Sequence, residues 1–330
     1  MTKRFQRGLV VGKFCPLHRG HEHLIRTMWE QCERSFVLSY TRPEFPGCEP
    51  EKRRRWLERL FPEVESLVLA AVEVPANEAE ETRHRRFVAE LCRDRFGGGV
   101  DAVFTSEDYG EGFARELSEF FGKAVVHVAV DPERSDWPVS GTLLRSDVHA
   151  HRGFLSPEVY GDFVERICLL GGESSGKSTL ASALADHYGT LHVAEYGREL
   201  WEKQEGRLVY EDLLNIARVQ VGREEAAAGG AQRYLFCDTS PLTTWFYCQS
   251  LFGRSEDALE ELTARPYTLH VLCGPEIPFH QDGTRRDAAF REEQHRWYRE
   301  ELERRALNWM EVQGTVEERI AQVFARLSTT

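Results

Sequence analysis

Lysine is scarce in this chain of 330 residues, since only six of its 42 Lys and Arg side chains are lysines. The formal net charge is −12 with histidine neutral. An acidic chain with few compact cations excludes a broad, non-specific nucleic-acid surface and predicts that small anionic ligands are held by local basic groups. Two of the six lysines, Lys13 and Lys177, fall inside glycine-containing motifs, where a compact point charge suits phosphate.

Paired cysteine motifs and long apolar runs are also absent. The eight cysteines never form a Cys-x-x-Cys pair, and several lie in apolar runs. We therefore expect buried free thiols in a reducing compartment rather than disulfides or zinc ligands. No apolar stretch reaches the length of a membrane span, and the first residues lead into a strand-like run without a signal-peptide core. These observations predict a soluble, cytoplasmic protein without nucleic-acid partners, and a homo-oligomer is compatible with them.

The chain length favours two domains, each able to bury its own core. Strand-like runs alternate with amphipathic helical segments, which predicts an α/β fold with doubly wound parallel sheets and ligand sites at the carboxyl ends of the strands. Periodicity breaks between residues 146 and 165, so we place the domains at residues 1–155 and 156–330. The strands predicted within the first half are residues 36–40, 67–74, 102–105 and 124–130.

The first phosphate-handling motif, at residues 12–21, follows the apolar run 8–11 and precedes a helical pattern. A strand, a tight loop and a helix N-terminus in this order hold anions. His18 and His21 share one face of the first helical turn and can both donate to one phosphate, while Gly20 lets the backbone approach the ligand. The motif predicts attack on an α-phosphate with pyrophosphate as the leaving group. The candidate ATP contacts here are Gly12, Lys13, Phe14, His18, Gly20 and His21.

A second part of the same site is expected at residues 139–146. Ser140 or Thr142 can cap a helix whose N-terminus faces phosphate, and Arg145, one turn later, can bind phosphate as a fork. A run of three arginines, Arg53 to Arg55, lies in an earlier helical segment and instead favours a solvated helix face.

The second phosphate-handling motif satisfies G-x-x-x-x-G-K-[ST] between an apolar strand-like run and a helix that ends at Gly189. Backbone N–H groups of such a loop cradle phosphates. Lys177 is predicted to reach the β- and γ-phosphate oxygens, and the Ser178 hydroxyl is predicted to ligate Mg²⁺. The residues assigned to this ATP site are Gly171, Gly172, Glu173, Ser174, Ser175, Gly176, Lys177, Ser178 and Thr179.

Acidic residues follow two further strand-like runs in the second half. Asp238, directly after an apolar run, is the expected Mg²⁺-organising carboxylate, and Glu195 is a candidate base for a substrate hydroxyl. Farther along, Arg285 and Arg286 occupy a loop that could close over ATP and neutralise charge on the transferred phosphoryl group. The capping box at residues 315–318 predicts the start of the last helix.

Together these motifs resemble a known arrangement. Residues 12–21 resemble the nucleotidyltransferase family, and residues 139–145 look like the second motif of its nicotinamide mononucleotide (NMN) adenylyltransferase branch. The whole order is similar to NadR-type bifunctional proteins, in which that adenylyltransferase is followed by a ribosylnicotinamide kinase. Segments 130–134, 171–178, 195–199, 238–239 and 282–283 support the resemblance.

The resemblance implies a Rossmann-like nucleotidyltransferase domain followed by a P-loop kinase domain. The second would phosphorylate nicotinamide riboside with ATP and Mg²⁺, and the first would adenylylate NMN to NAD. In the riboside step, Glu195, Tyr196, Arg198 and Asp238 would bind substrate. In the adenylylation step, the resemblance implies that four residues stabilise charge on the triphosphate: Lys13, His18, His21 and Arg145.

Three features depart from the family pattern. Arg19 stands where a small residue is usual, and Leu143 where lysine is frequent. Some relatives begin with a helix-turn-helix repressor domain, whereas this chain starts at the first strand, so DNA binding is not expected.

Two other functions fit parts of the sequence. One is a coenzyme A pathway fusion of an adenylyltransferase and a P-loop kinase, which residues 139–145 and 195–199 disfavour. The other is a sensor that binds NAD or ATP and signals to a partner with slow turnover.

Overall fold

The chain divides into two compact units, Met1–Phe163 and Val164–Thr330. The computed structural model describes residues 3–278 and 287–329. The division lies beyond the boundary predicted after residue 155, because the segment that follows packs against the first unit. Trp56 donates from its indole N–H to Asp162 at 2.6 Å, and its ring lies 6.0 Å from that of Phe163.

The first unit is an α/β fold around a five-stranded parallel sheet with the order β3-β2-β1-β4-β5. Its strands are β1 Phe5–Gly12, β2 Cys32–Ser39, β3 Glu65–Val68, β4 Ala102–Thr105 and β5 Val126–Ala129. Its helices are α1 Arg19–Gln31, α2 Pro50–Leu60, α3 Glu81–Arg95, α4 Gly110–Phe121, α5 Gly141–Ser146 and α6 Pro157–Tyr160.

The strand predicted at 67–74 is wrong in its second half. β3 ends at Val68, and a 3₁₀ turn follows at Ala71–Glu73. Val72 within that turn is 87% exposed, so the apolar residues of this run do not mark a buried strand. The buried core instead gathers strand residues such as Leu9 and Val103 with α3 and α4 residues such as Cys92 and Leu117.

The second unit also surrounds a five-stranded parallel sheet, with the order β10-β9-β6-β8-β7. Its strands are β6 Glu165–Leu170, β7 Leu191–Val193, β8 Tyr234–Asp238, β9 Leu269–Cys273 and β10 Trp309–Val312. Its helices are α7 Lys177–Tyr188, α8 Tyr196–Lys203, α9 Tyr210–Ala228, α10 Pro241–Phe252, α11 Asp257–Thr263, α12 Ala288–Arg304 and α13 Val316–Ser328.

Both faces of the second sheet are covered by helices, as the continuous apolar runs require. Leu169 of β6 packs in a cluster with α7 and α13, whereas the next residue, Leu170, packs with α10 and α12. This alternation is the two-residue period of a strand. The prediction of α/β architecture with two parallel sheets is confirmed.

Each sheet has a point at which successive strands leave in opposite directions. In the first unit this point lies beside β1, which pairs with both β2 and β4. In the second it lies beside β6, which pairs with both β8 and β9. Crevices at the carboxyl ends of such strands are where open α/β sheets bind ligands. Both predicted phosphate loops follow these two strands. Within residues 3–278 and 287–329, no helix is long and apolar enough to cross a membrane.

Candidate active sites

A pocket of about 670 Å³ opens at the carboxyl ends of β1, β2 and β4 in the first unit. All nine residues predicted for the first ATP site line it, so the structure brings residues 12–21 and 140–145 together across the chain. Their roles stay predictions. The nine are Gly12, Lys13, Phe14, His18, Gly20, His21, Ser140, Thr142 and Arg145.

The loop between β1 and α1 is held in a tight conformation. Phe14 adopts a left-handed backbone with φ of 51°, and its ring packs over Gly12. A Cβ atom at Gly12 would lie 2.9 Å from that ring, so the position requires glycine. This geometry places Lys13, which is exposed, at the mouth of the pocket.

The two motif histidines stack on each other at the start of α1. Their ring centroids are 3.6 Å apart with 19° between the planes, and the edge of Phe14 meets His21 at 5.0 Å. His18 is the N-cap residue, and its Nδ1 accepts a hydrogen bond from the His21 N–H at 3.4 Å. His21 Nδ1 is buried and has no hydrogen-bond partner among the described residues.

Both imidazoles are neutral at pH 7 in this arrangement. Burial, followed by the charge of Arg134, lowers the pKa of His18 to about 4. Burial and the neighbouring His18 and Arg134 likewise hold the pKa of His21 well below its usual value. A neutral imidazole still donates one hydrogen bond, and an incoming polyphosphate would favour the charged form.

The second motif joins the first through Arg145. Ser140 caps α5 by accepting from the Leu143 N–H at 3.2 Å, which resolves the choice between Ser140 and Thr142. Arg145 donates to the Cys15 carbonyl at 2.5 Å and to the Thr142 hydroxyl at 3.1 Å. The guanidinium is therefore tied to the β1–α1 loop while it remains exposed at the pocket.

The unusual Arg19 is engaged in a local ion pair. It lies 2.7 Å from the carboxylate of Glu22, which is buried. The positive charge of Arg19, which stands where a small residue is usual, is therefore paired with Glu22 on the same helix. Leu143 contributes its backbone N–H to the Ser140 cap and has no charge to contribute.

Several other residues that line the pocket had no predicted role. Asp131 organises the loop after β5 by accepting from the N–H groups of Ser135 at 2.8 Å and Trp137 at 3.1 Å. Desolvation raises the pKa of Asp131, but the hydrogen bonds from Trp137 and its neighbours outweigh it and lower the pKa overall. Arg134 and Trp137 of this loop line the pocket. Residues 130–134 supported the family resemblance in the sequence, but the charged run after a predicted strand was not assigned to the pocket.

A hydrogen-bonded aromatic pair forms another wall. The Tyr40 hydroxyl lies 3.0 Å from His84 Nδ1, and His84 Nε2 lies 3.0 Å from the Ala76 carbonyl. Because a carbonyl only accepts, Nε2 carries the proton and the Tyr40 hydroxyl donates to Nδ1. This chain of bonds fixes both rings at the pocket.

In the second unit, the predicted P-loop connects β6 to α7. Lys177 donates to the carbonyls of Gly171 at 2.9 Å and Gly172 at 3.1 Å, so its ammonium lies over the loop. Gly171 has φ of 146°, and a Cβ there would lie 2.6 Å from the Ser175 hydroxyl. Glycine at position 171 is therefore a steric requirement of the loop. Ser178, in the first turn of α7, is exposed.

The two predicted carboxylates lie at the same edge of this sheet. Asp238 ends β8 beside β6 and is 2% exposed, and its Oδ1 finds no hydrogen-bond partner in the described parts of the chain. Glu195 follows β7, the neighbour of β8. Burial raises the pKa of Glu195 to about 7, opposed by Lys177 and reinforced by Asp238.

The other predicted substrate residues flank Glu195 on α8. The Tyr196 N–H donates to Gln220 at 2.9 Å, and Arg223 lies over the Tyr196 ring at 4.6 Å. Arg198 is exposed and close enough to Glu195 to lower its pKa. The predicted Arg285 and its neighbour Arg286 lie outside the described residues.

A buried arginine that sequence reasoning missed supports the P-loop. Arg319 on α13 is 1% exposed and donates to the Ser175 carbonyl at 2.7 Å. It also pairs with Glu276, after β9, at 2.6 Å. The predicted capping box is present, because Thr315 accepts from the Glu318 N–H and Glu318 accepts from the Thr315 N–H. The capping box therefore begins α13, and the residue directly after the box, Arg319, holds the P-loop.

The thiols follow the prediction. All eight cysteines are buried and free. Cys15 is one of the residues that line the first pocket, and its Sγ donates to the Lys13 carbonyl at 3.1 Å. No group of three or more His, Cys, Asp or Glu side chains in the described residues could hold a metal ion by itself.

The chain thus has two α/β units, and in each unit a loop predicted to bind phosphate follows the strand beside which successive strands leave in opposite directions, the switch point of the sheet. Residues 166–319 match the family described as an AAA domain. The chain is 29% identical over 301 residues to the trifunctional NAD biosynthesis/regulator protein NadR of Escherichia coli strain K12, which covers 84% of this chain and 71% of that protein. NadR of Salmonella typhimurium strain LT2 matches with the same identity and coverage.

Solved structures extend the similarity to the whole fold. A crystal structure of NadR protein in complex with NR superposes with a TM-score of 0.70 at 19% identity, covering 94% of this chain and 90% of that one. A second, in complex with NAD and AMP-PNP, gives a TM-score of 0.68 at 19% identity, covering 94% and 91%. The resemblance to NadR-type proteins is thus confirmed.

Proposed function

We propose that the chain is a bifunctional enzyme of NAD salvage. The second unit phosphorylates the 5′-hydroxyl of nicotinamide riboside with ATP, and the first transfers the adenylyl group of ATP to the resulting NMN, releasing pyrophosphate. The supporting observation is the presence of two separate constellations, a basic pocket with paired histidines and a P-loop with two carboxylates, at the two switch points. The names of the similar proteins, which include NAD biosynthesis, NR and NAD, support the choice of substrates.

In the riboside step, the P-loop backbone and Lys177 hold the ATP phosphates. Glu195 accepts the proton of the attacking hydroxyl, a role that suits a carboxylate whose pKa is raised to about 7. Tyr196 and Arg198, on the adjoining turn, contact the riboside. No covalent intermediate is needed, so positioning and charge stabilisation provide the acceleration.

The residues present fit a Mg²⁺ ion bound mainly through ATP. Asp238 offers a buried carboxylate oxygen without a partner among the described side chains, and the Ser178 hydroxyl is exposed on the first turn of α7. Mg²⁺ in such sites takes only one or two protein ligands beside phosphates and water. When bound, it would neutralise charge on the transferred phosphoryl group.

In the adenylyl step, Lys13, His18, His21 and Arg145 surround the triphosphate. The phosphate of NMN attacks the α-phosphorus, the bond to the bridging oxygen breaks, and pyrophosphate leaves with the negative charge. The neutral histidines donate hydrogen bonds to the phosphoryl oxygens, and their tendency to charge increases as negative charge accumulates. The aromatic wall of Tyr40 and His84 offers a place for a planar ring.

Purified protein incubated with ATP, Mg²⁺ and either nicotinamide riboside or NMN tests the proposal, with products resolved by chromatography. We expect NMN and then NAD from the riboside, and NAD with pyrophosphate from NMN. Failure to form NAD from NMN would remove the adenylyl step, and failure to consume the riboside would remove the kinase step.

A further inference from the structure

Arg53 of α2 is completely buried, contrary to the solvated helix face predicted for Arg53 to Arg55. Its neighbour Arg54 is exposed, as predicted. Arg53 shares the buried stripe of the helix with Trp56 and Leu57, three and four residues later. An arginine is costly to bury unless its five N–H groups find acceptors, so its position calls for an explanation.

The acceptors of Arg53 link three segments around the first pocket. Its Nε donates to the Cys48 carbonyl at 3.0 Å, and one terminal nitrogen pairs with Glu44 at 2.9 Å. The other terminal nitrogen donates to the Ser39 hydroxyl at 2.8 Å and approaches the Lys13 carbonyl at 3.5 Å. The guanidinium thus reaches directly from α2 to the phosphate loop.

The Lys13 carbonyl is the point on which this network converges. Ser39, at the end of β2 and opposite Gly12 in the sheet register, donates its hydroxyl to the same carbonyl at 3.2 Å. Cys15 donates to it at 3.1 Å. Three donors therefore hold this carbonyl so that it points towards the protein interior. The next residue is Phe14, which has the left-handed backbone conformation. With the carbonyl fixed inward, the Lys13 side chain and the following loop are directed to the pocket.

We propose that Arg53, acting through Ser39 and the Lys13 carbonyl, is a positioning residue that fixes the phosphate-binding loop for adenylyl transfer. It has no contact with substrate in this role, and it does not line the pocket. The inference rests on the proposed function of the first unit. Misplacement of reacting groups by about 1 Å can cost on the order of 100-fold in rate, which sets the size of effect to expect.

Three single variants and one double variant test this role, and the single variants are Arg53→Met, Ser39→Ala and Arg54→Met. Arg53→Met keeps an unbranched chain but removes every donor. Ser39→Ala removes only the hydroxyl that relays Arg53 to Lys13, at a small change in volume. Arg54→Met is the matched control, because it removes the same charge from the adjacent exposed position.

Adenylyl transfer is measured for each variant with NMN and MgATP varied, and rates are normalised to the folded fraction from urea unfolding of the same preparation. We expect kcat to fall about 10- to 100-fold in Arg53→Met and by a smaller factor in Ser39→Ala, with KM for NMN changed less than about threefold. The Arg53→Met/Ser39→Ala double variant should lose little more than Arg53→Met alone, because the two side chains act in one chain of bonds. Arg54→Met should retain the wild-type kcat.

Amide hydrogen exchange at residues 12–17 supplies a readout that does not depend on turnover. Faster exchange there in Arg53→Met and Ser39→Ala, with unchanged exchange in α1, supports positioning. Normalised kcat at the wild-type level in both variants, or fully additive losses, would overturn it, as would unchanged loop exchange. If the wild-type protein makes no NAD from NMN, the proposed function fails, and the exchange measurement still decides whether Arg53 holds the loop.

Discussion

If Glu195 is the base of the proposed riboside phosphorylation, its environment sets the pH dependence of that reaction. Burial raises the pKa of this carboxyl from 4.5 to about 7, against the charge of Lys177 and with that of Asp238. A base must be ionised to accept a proton. About one tenth of the side chain is ionised one unit below this pKa and about nine tenths one unit above it, so kcat/KM for the riboside should rise about tenfold from pH 6 to pH 8.

The same shift has a consequence for stability with a defined sign. A carboxyl whose pKa is raised by folding holds its proton more tightly in the folded state, so its contribution is fully present below pH 4.5 and is lost as pH rises through about 7. At pH 8 the ionised Glu195 therefore destabilises the folded state. At 1.36 kcal/mol per pKa unit, the upper bound on this destabilisation is about 3 kcal/mol. Partial exposure of Glu195 to water brings the expected destabilisation to roughly 1–3 kcal/mol.

Glu195→Gln separates these effects, because it removes the base and also the cost of burying a charge. Initial rates at low riboside and saturating MgATP are measured from pH 5.5 to 9, and urea unfolding of the second unit is followed at pH 5 and 8. The variant should lose riboside phosphorylation while gaining stability at pH 8 and little at pH 5. Glu261→Gln, which neutralises an exposed carboxylate on α11, is the control and should change neither. A flat wild-type profile between pH 6 and 8, or a variant that retains the wild-type rate, would refute the assignment of Glu195 as the base.

Three further outcomes are expected. Gly110→Ala should lower the free energy of unfolding by about 1–3 kcal/mol, because the new Cβ would overlap the His127 imidazole. Urea unfolding measures this free energy, and unchanged stability would contradict the described packing. Titration with an aromatic disulfide reagent should find eight thiols in denaturant and few in the native protein, since all eight are buried; rapid reaction of all eight in the native state would contradict this. Arg319→Met should raise KM for ATP in riboside phosphorylation and leave adenylyl transfer unchanged, because Arg319 donates to the Ser175 carbonyl of the P-loop. Equal losses of both activities would argue against a local role of Arg319.

The positions of both loops could be predicted because their constraints are local. The P-loop motif begins with a glycine because of steric limits at Gly171, and His18 begins a helix as its pattern indicates. The carboxylates could also be placed, because parallel strands deliver Glu195 and Asp238 to one edge of the sheet. The two parallel sheets could be predicted because strand-like and helical segments alternate along the sequence, and the structure confirms them.

The supporting residues could not be predicted because their partners are distant in sequence. Arg319 contacts Ser175, which lies 144 positions earlier in the sequence, and no local sequence pattern near either residue indicates the contact. Arg53 did leave a local signal, since it shares the spacing of the buried Trp56, but charge patterning alone favoured solvent. Buried and exposed arginines differ in what surrounds them, and the surroundings are fixed only when the sheet assembles.

Trans-complementation of two variants tests the central claim most directly. Lys177→Ala should make NAD from NMN but leave nicotinamide riboside unphosphorylated, and His21→Ala should convert the riboside to NMN and stop there. Because NMN can diffuse between molecules, a mixture of the two variants should convert riboside to NAD although neither does so alone. Loss of both activities in either folded variant, or a mixture that makes no NAD, would contradict the assignment of one step to each unit.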